Sequence, residues 1–259
     1  MQRATTALVL GGGGMFGAYE AGAWKALEGI FRPDMVVGAS IGALNGWAIA
    51  GGCPADEWIA EWLSLGVRGQ MRMRMPVGVF DGLLDSGPLQ AYVRELTRRF
   101  QPKVRFGAAL LSVRRIETRV FWDEAVTWRH LCASCGVPLL LKQYRIDGCR
   151  WADGGLISAL PLHAAIDAGA TRIVAVNVLP THPPAALRIA RSLLKAAARY
   201  RPMPVPACVE VLRIEPGDAL GAWRNAYAWD RECVRAWIER GRRDAERALE
   251  GAGKPDITN

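Results

Sequence analysis

Two short apolar runs, each broken by a glycine-rich turn and followed by a helical pattern, limit what this chain can fold into. Ala4 to Leu10 is rich in Val and Leu and stops at Gly11 to Gly14. Small and apolar residues then recur at helical spacing from Gly17 to Leu27 (Ala18, Ala21, Trp24, Leu27). Arg32-Pro33-Asp34 turns the chain into a second run, Met35-Val36-Val37, and Gly38-Ala39-Ser40-Ile41-Gly42 opens another helix to about Ala50. Strand, helix, strand, helix at this pace predicts an α/β fold with a mainly parallel central sheet and helices on both faces.

The remainder is read more coarsely. Helices are expected over Glu57 to Leu65, Ser86 to Phe100 and Trp128 to Cys135, and strands over Val104 to Val113 and Thr118 to Trp122. Tyr144 to Trp151 reads as a hairpin around Asp147-Gly148. Thr171 to Leu179 is the clearest buried strand, and Cys208 to Ile214 is another. Asp218 to Glu250 reads as one long helix whose apolar stripe (Trp223, Tyr227, Val234, Trp237, Ile238) faces the core. The Pro-rich pieces Pro180 to Pro184 and Pro202 to Pro206 read as loops and not as domain linkers, so residues 1–259 are expected to form a single domain.

A chain of 259 residues can bury roughly three quarters of its unfolded surface, so its core needs no covalent staples. Six scattered cysteines agree with a reducing compartment. The apolar run before Gly11 is too short for a signal-peptide core, and no run reaches the ~18 apolar residues of a membrane span. A cytoplasmic protein, peripheral on a membrane at most, is expected. The net charge of +8 suits nucleic acid or an anionic lipid surface. No nucleic-acid module is readable, so the excess leans toward membrane.

Gly38 to Gly42 matches G-x-S-x-G between a strand and a helix. Such a turn lifts the Ser40 hydroxyl off the sheet and brings the Ile41 N–H to the reacting carbonyl, and glycines at Gly38 and Gly42 avoid collisions. Gly12, Gly14 and Gly17 also match a dinucleotide loop, which wants an acid at the end of the second strand; Asp34 lies at that strand's beginning instead. The other reading is an oxyanion hole: the N–H groups of Gly11, Gly12, Gly13 and Gly14 at a helix start, converging with Ser40 at one sheet edge. For the base there are two candidates, His163 after Pro161-Leu162 and Asp153 in the turn Ala152-Asp153-Gly154-Gly155. His130 and His182 complete the histidines.

Taken in order, GGGGMFGAYEAG, GASIG, ASCGVP (Ala133 to Pro138) and DGGLISALP (Asp153 to Pro161) resemble the patatin-like phospholipases, over about residues 5–180. The resemblance implies a patatin-like three-layer sandwich and a Ser–Asp dyad without histidine, placed on Ser40 and Asp153, with Gly154 and Gly155 supporting the acid. It implies an oxyanion hole in Gly11 to Gly14 and lipid ester substrates. Two positions depart from the pattern. Phe16 stands where members often carry Arg or Lys, which removes a cation beside the oxyanion, and Ser158 stands where they often carry Asn. The expected reaction is hydrolysis through an acyl-enzyme, with no cofactor and no metal. The alternatives are an acyl-transferase using the same intermediate and a non-catalytic nucleotide- or acyl-carrier-binding module using the glycine loop alone.

Three further features stand beside these. Cys132, Cys135, Cys149 and His130 are too loosely spaced for a zinc or redox site. From Ala185 to Arg201, Arg188, Arg191, Lys195 and Arg199 share one helical face, with Ala186, Ala190, Leu193, Leu194 and Ala197 opposite; this reads first as a surface helix packing its apolar side on its own core, and second as a helix lying on an anionic membrane. Gln70 to Met75 alternates Met and Arg and reads as a flap over an acyl pocket or an ordinary loop.

Overall fold

The computed structural model describes residues 4–65, 73, 75–76, 78, 80–179 and 185–251. Eight strands among them make one sheet: β1 (Thr6–Leu10), β2 (Met35–Ala39), β3 (Arg105–Ser112), β4 (Glu117–Trp122), β5 (Tyr144–Ile146), β6 (Cys149–Asp153), β7 (Arg172–Val176) and β8 (Glu210–Ile214). β1 lies between β2 and β7, all parallel, with β3 beyond β2 and β8 beyond β7 in the same sense. β4 and β6 run antiparallel to β3, and β5 is antiparallel to β6. The sheet is thus mainly parallel, as expected.

Helices cover both faces. α1 (Ala18–Leu27), α2 (Ile41–Ala50) and α8 (Arg231–Gly251) pack on the side to which Leu8, Leu10, Val36, Phe106 and Val174 point. α6 (Leu162–Asp167) covers the other side, against Ala7, Val9, Val37 and Ile173. Nearby, α7 (Ala185–Ala197) sets Leu194 against Leu111, Ala152 and Ile157. Successive strand residues alternate between the two cores, which the period of two in a pleated strand requires. α3 (Ala55–Ser64), α4 (Gly87–Arg99) and α5 (Trp128–Ser134) complete the cover.

The hairpin at Asp147-Gly148 forms as expected, with φ of 48° and 75° at its two turn residues. Two expectations change. The last helix starts at Arg231 and not at Asp218, because Asp230 caps it by accepting the Cys233 N–H at 2.8 Å. Trp223 falls in a separate 3-10 turn, Trp223–Ala226, and Tyr227 just after it. The Met/Arg segment lies mostly outside the described residues; Met73 pairs with Leu84 in an isolated bridge, and Met75 is exposed. No described helix is long and apolar enough to cross a membrane.

Candidate active site

β1 and β2 end side by side, with Leu10 paired to Gly38, so the glycine loop and the turn after β2 emerge at one sheet edge. Ser40 takes φ 55° and ψ −127°, a conformation that costs a non-glycine residue ~1–3 kcal/mol and persists only where the surroundings impose it. Three neighbours do so. A Cβ on Gly38 would sit 2.2 Å from the Gly42 carbonyl oxygen, and one on Gly42 would sit 2.6 Å from the Leu10 and Gly11 oxygens. The Ser134 hydroxyl, fully buried, accepts the Ser40 N–H at 2.8 Å and donates to the Ala109 carbonyl at 2.9 Å. Ser134 lies within the ASCGVP stretch but carries no signal that would single it out from sequence.

Register brings Asp153 to Ser40. β2 pairs with β3 as far as Ala39 opposite Ala109, and β6 takes over at the next residue, Asp153 opposite Leu110. β4 occupies the other edge of β3 from Gly107 to Ser112, so β2 and β6 share one edge end to end. Ser40 and Asp153 line the same cavity, close enough for the hydroxyl to favour the charged carboxylate; the Gly155 N–H donates to its Oδ1 at 2.7 Å, and the Asp153 N–H donates to the Gly136 carbonyl at 3.1 Å. Gly154 packs against the Ala109 oxygen, where a Cβ would come within 2.5 Å. Burial pushes the Asp153 carboxyl up to about 6, and the nearby Ser40 hydroxyl, the bond from Gly155 and the charge of Arg191 oppose that rise.

The glycine loop needs a correction. The Gly11 N–H is taken by the Val176 carbonyl at 3.0 Å and the Gly12 N–H by the Ala159 carbonyl at 2.8 Å, so neither can serve an oxyanion. These bonds fasten the loop to the strand and turn beside it. No acceptor among the described residues takes the N–H of Gly13, Gly14 or Ile41. Gly13, Gly14 and Ile41 line a cavity with Ser40 and Asp153. Phe16 turns away from it and packs edge-on against Trp237, with ring centroids 5.0 Å apart. Asp34, the acid of the dinucleotide reading, accepts from the Thr6 N–H and hydroxyl at the opposite end of β1.

The cavity holds about 130 Å³ and is walled by Leu44, Leu89, Val137, Leu141 and Leu179, with Trp223 and Tyr227 closing one side. Both aromatics thus line the cavity, and Tyr227 also packs against the main core, as expected of it. Arg191 also lines it, half-buried, with its Nε donating to the Leu156 carbonyl at 3.2 Å. α7 is thus turned differently from expectation: Arg191 and Lys195 are half-buried, while Arg188, Ile189 (59% exposed) and Leu193 (67%) face outward.

His163 lines a separate cavity with Tyr200 and Met203 and does not reach Ser40. His130 closes a capping box with Thr127 at the start of α5. Cys132 and Cys135 are buried and Cys149 is exposed; among the described residues no group of three His, Cys, Asp or Glu is placed to hold a metal.

The model of the patatin-like phospholipase family matches residues 8–166. Patatin-like phospholipase domain-containing protein 6 from Mus musculus and from Homo sapiens are each 31% identical to the chain over 191 residues, which is 67% of this chain and 13% of theirs. The chain therefore spans only about an eighth of those relatives. Among solved structures, VipD from Legionella pneumophila matches 96% of this chain and 67% of its own, with TM-score 0.55 and 11% identity. The type III effector protein ExoU matches 96% of this chain and 53% of its own, with TM-score 0.50 and 14% identity. At these identities the two structures speak for the fold alone.

Proposed function

The chain belongs to the patatin-like phospholipase family, and from that premise we propose that it hydrolyses carboxylic ester bonds of lipids through a Ser40–Asp153 dyad. The observation that carries this reading is Ser40, held in a strained turn and lining one cavity with the buried Asp153 carboxyl, which burial raises to about 6. A base needs a pKa near the working pH, and this one is ionised at neutrality yet basic enough to take a proton.

Ser40 Oγ attacks the ester carbonyl as its proton passes to Asp153. The N–H groups of Gly13, Gly14 and Ile41 stabilise the oxyanion, a contribution of about 2.7–4 kcal/mol for a single donor. Asp153 returns the proton to the departing alkoxide, leaving an acyl-serine. Water then attacks the acyl carbon with its proton going to Asp153, and the fatty acid leaves as Ser40 regains the proton. The apolar cavity wall suits the acyl chain. Its 130 Å³ is below the ~300–1,000 Å³ of typical ligand sites, so a long chain must run out through the mouth.

A peripheral contact with anionic membrane belongs to the same reading. Leu139 (71% exposed), Ile189 and Leu193 stand in water near cavity-lining neighbours, and Arg188 is exposed beside two of them. Sedimentation with anionic vesicles is expected to weaken in Ile189→Ser and Leu193→Ser.

Labelling by a fluorophosphonate probe tests the central reading. Wild type is expected to label and Ser40→Ala to be blank, while Asp153→Asn loses ester turnover. Labelling that persists in Ser40→Ala overturns the proposal.

A further inference from the structure

Among the described residues lining the cavity, Asp153 is the one anion and Arg191 the one cation. The two are not in ion-pair contact, although each feels the other's charge. The Nε of Arg191 is fixed on the Leu156 carbonyl, two residues beyond the Asp153-Gly154 turn. No described acceptor takes its Nη groups. One helical turn on, Lys195 is half-buried behind the cavity wall with its Nζ 5.3 Å from the Tyr200 ring centroid, and no carboxylate among the described residues pairs with either cation. Burial first, and the Arg191 charge second, make the charged form of Lys195 harder to keep. Two like charges at i and i+4 repel, and partial burial sharpens that repulsion. Such an arrangement is relieved when an anion arrives between them. The glycine loop supplies no cation of its own, since Phe16 packs on Trp237.

We propose that Arg191, backed by Lys195, forms an anion subsite in the cavity that takes the phosphate of a phosphate-bearing acylglycerol beside its scissile ester. The assignment rests on the hydrolase reading above and adds the substrate's charged group to it. Two cations match a phosphate better than a single carboxylate. The fork of Arg191 offers paired donors to phosphate oxygens, and Lys195 adds a point charge.

The test compares wild type, Arg191→Gln, Arg191→Lys and Lys195→Gln on a 1-acylglycerol 3-phosphate and on the uncharged 1-acylglycerol of the same chain length. Glycerol 3-phosphate and inorganic phosphate are titrated into the same proteins by calorimetry. Arg191→Gln is expected to lower the ratio of kcat/KM for the phosphate ester to that for the neutral ester by tenfold or more, chiefly through KM. Arg191→Lys should recover part of the ratio, and Lys195→Gln should lower it by a few-fold. Glycerol 3-phosphate should bind wild type and not Arg191→Gln.

An unchanged ratio, with both rates falling and the pH midpoint moving, means that Arg191 acts only through Asp153 and overturns the subsite. Equal binding of inorganic phosphate with an unchanged ratio makes it a free-phosphate site and overturns the substrate role. Where wild type turns over neither ester, the hydrolase reading fails by itself. Calorimetry then decides the subsite: glycerol 3-phosphate binding lost in Arg191→Gln keeps it, and no binding removes it.

Discussion

Ser134 holds the backbone of Ser40: one buried hydroxyl accepts the Ser40 N–H at 2.8 Å and donates to the Ala109 carbonyl at 2.9 Å. The same side chain thus ties the end of β2 to β3 at the point where the strained turn begins.

Ser134→Ala removes both bonds at once and leaves a buried N–H and a buried C=O without partners. Each such group costs about 1–3 kcal/mol, so Tm should fall by at least several degrees. Ester turnover should fall further than stability alone accounts for, because Ser40 is freed to leave its left-handed conformation. Differential scanning calorimetry and turnover at a temperature well below Tm separate the two effects.

Turnover is expected to rise with pH through about 6 and level off above it, following ionisation of Asp153. The stability effect runs the other way. The folded pKa is raised from the ordinary 3.8, so the associated stability is full below about pH 3.8 and is lost as pH rises through about 6. At pH 8 the loss is about 3 kcal/mol. Asp153→Asn should therefore abolish turnover yet melt higher than wild type at pH 8, with the gap closing near pH 4. A gap that persists at pH 4 would refute this account.

Glu20 is fully buried, and desolvation drives its carboxyl far above the usual range while its bond from Asn45 pulls the other way. Burial thus favours the protonated Glu20 carboxyl over the charged one. By the same sign, stability is full below the unfolded pKa and is lost as pH rises. Glu20→Gln keeps an acceptor for Asn45 and removes the ionisation cost. It should raise Tm at pH 7–8 and leave it unchanged near pH 4, as thermal melts at the two pH values would record.

Gly38 and Gly148 should answer alanine differently. At Gly38 the new Cβ meets backbone 2.2 Å away, which nothing local can relieve, so Gly38→Ala is expected to lose several kcal/mol or fail to fold. At Gly148 the space is open and only φ 75° opposes a side chain, so Gly148→Ala should cost about 1–2 kcal/mol and Gly148→Asn less. Urea denaturation of the three variants makes the comparison.

Much of the frame was legible because it rests on local chemistry. The glycine turns after β1 and β2 and the Asp147-Gly148 hairpin declare themselves through residues that few other conformations tolerate. What eluded the sequence depends on partners far along the chain. The N–H groups of Gly11 and Gly12 looked available until β7 and the Ala159 turn supplied carbonyls for them. The cationic stripe of α7 was plain, but periodicity does not say which stripe meets the protein, and Arg191 turned inward. Trp223 and Tyr227 have helical spacing without being in a helix. Asp230, a capping residue just before Arg231, was the signal that placed the true start.

The end-to-end sharing of β3 by β2 and β6 makes the site a product of completed assembly. The strands and helix that flank the serine, β1, β2 and α2, are close in the chain. Its carboxylate partner arrives only after β3 is in place and the distant β6 has docked on the remaining edge, a non-local pairing that forms slowly. On the proposed dyad, a chain in which β6 has not yet docked carries the serine without its base. A reagent that reads activated serine would then time the docking of β6 on β3.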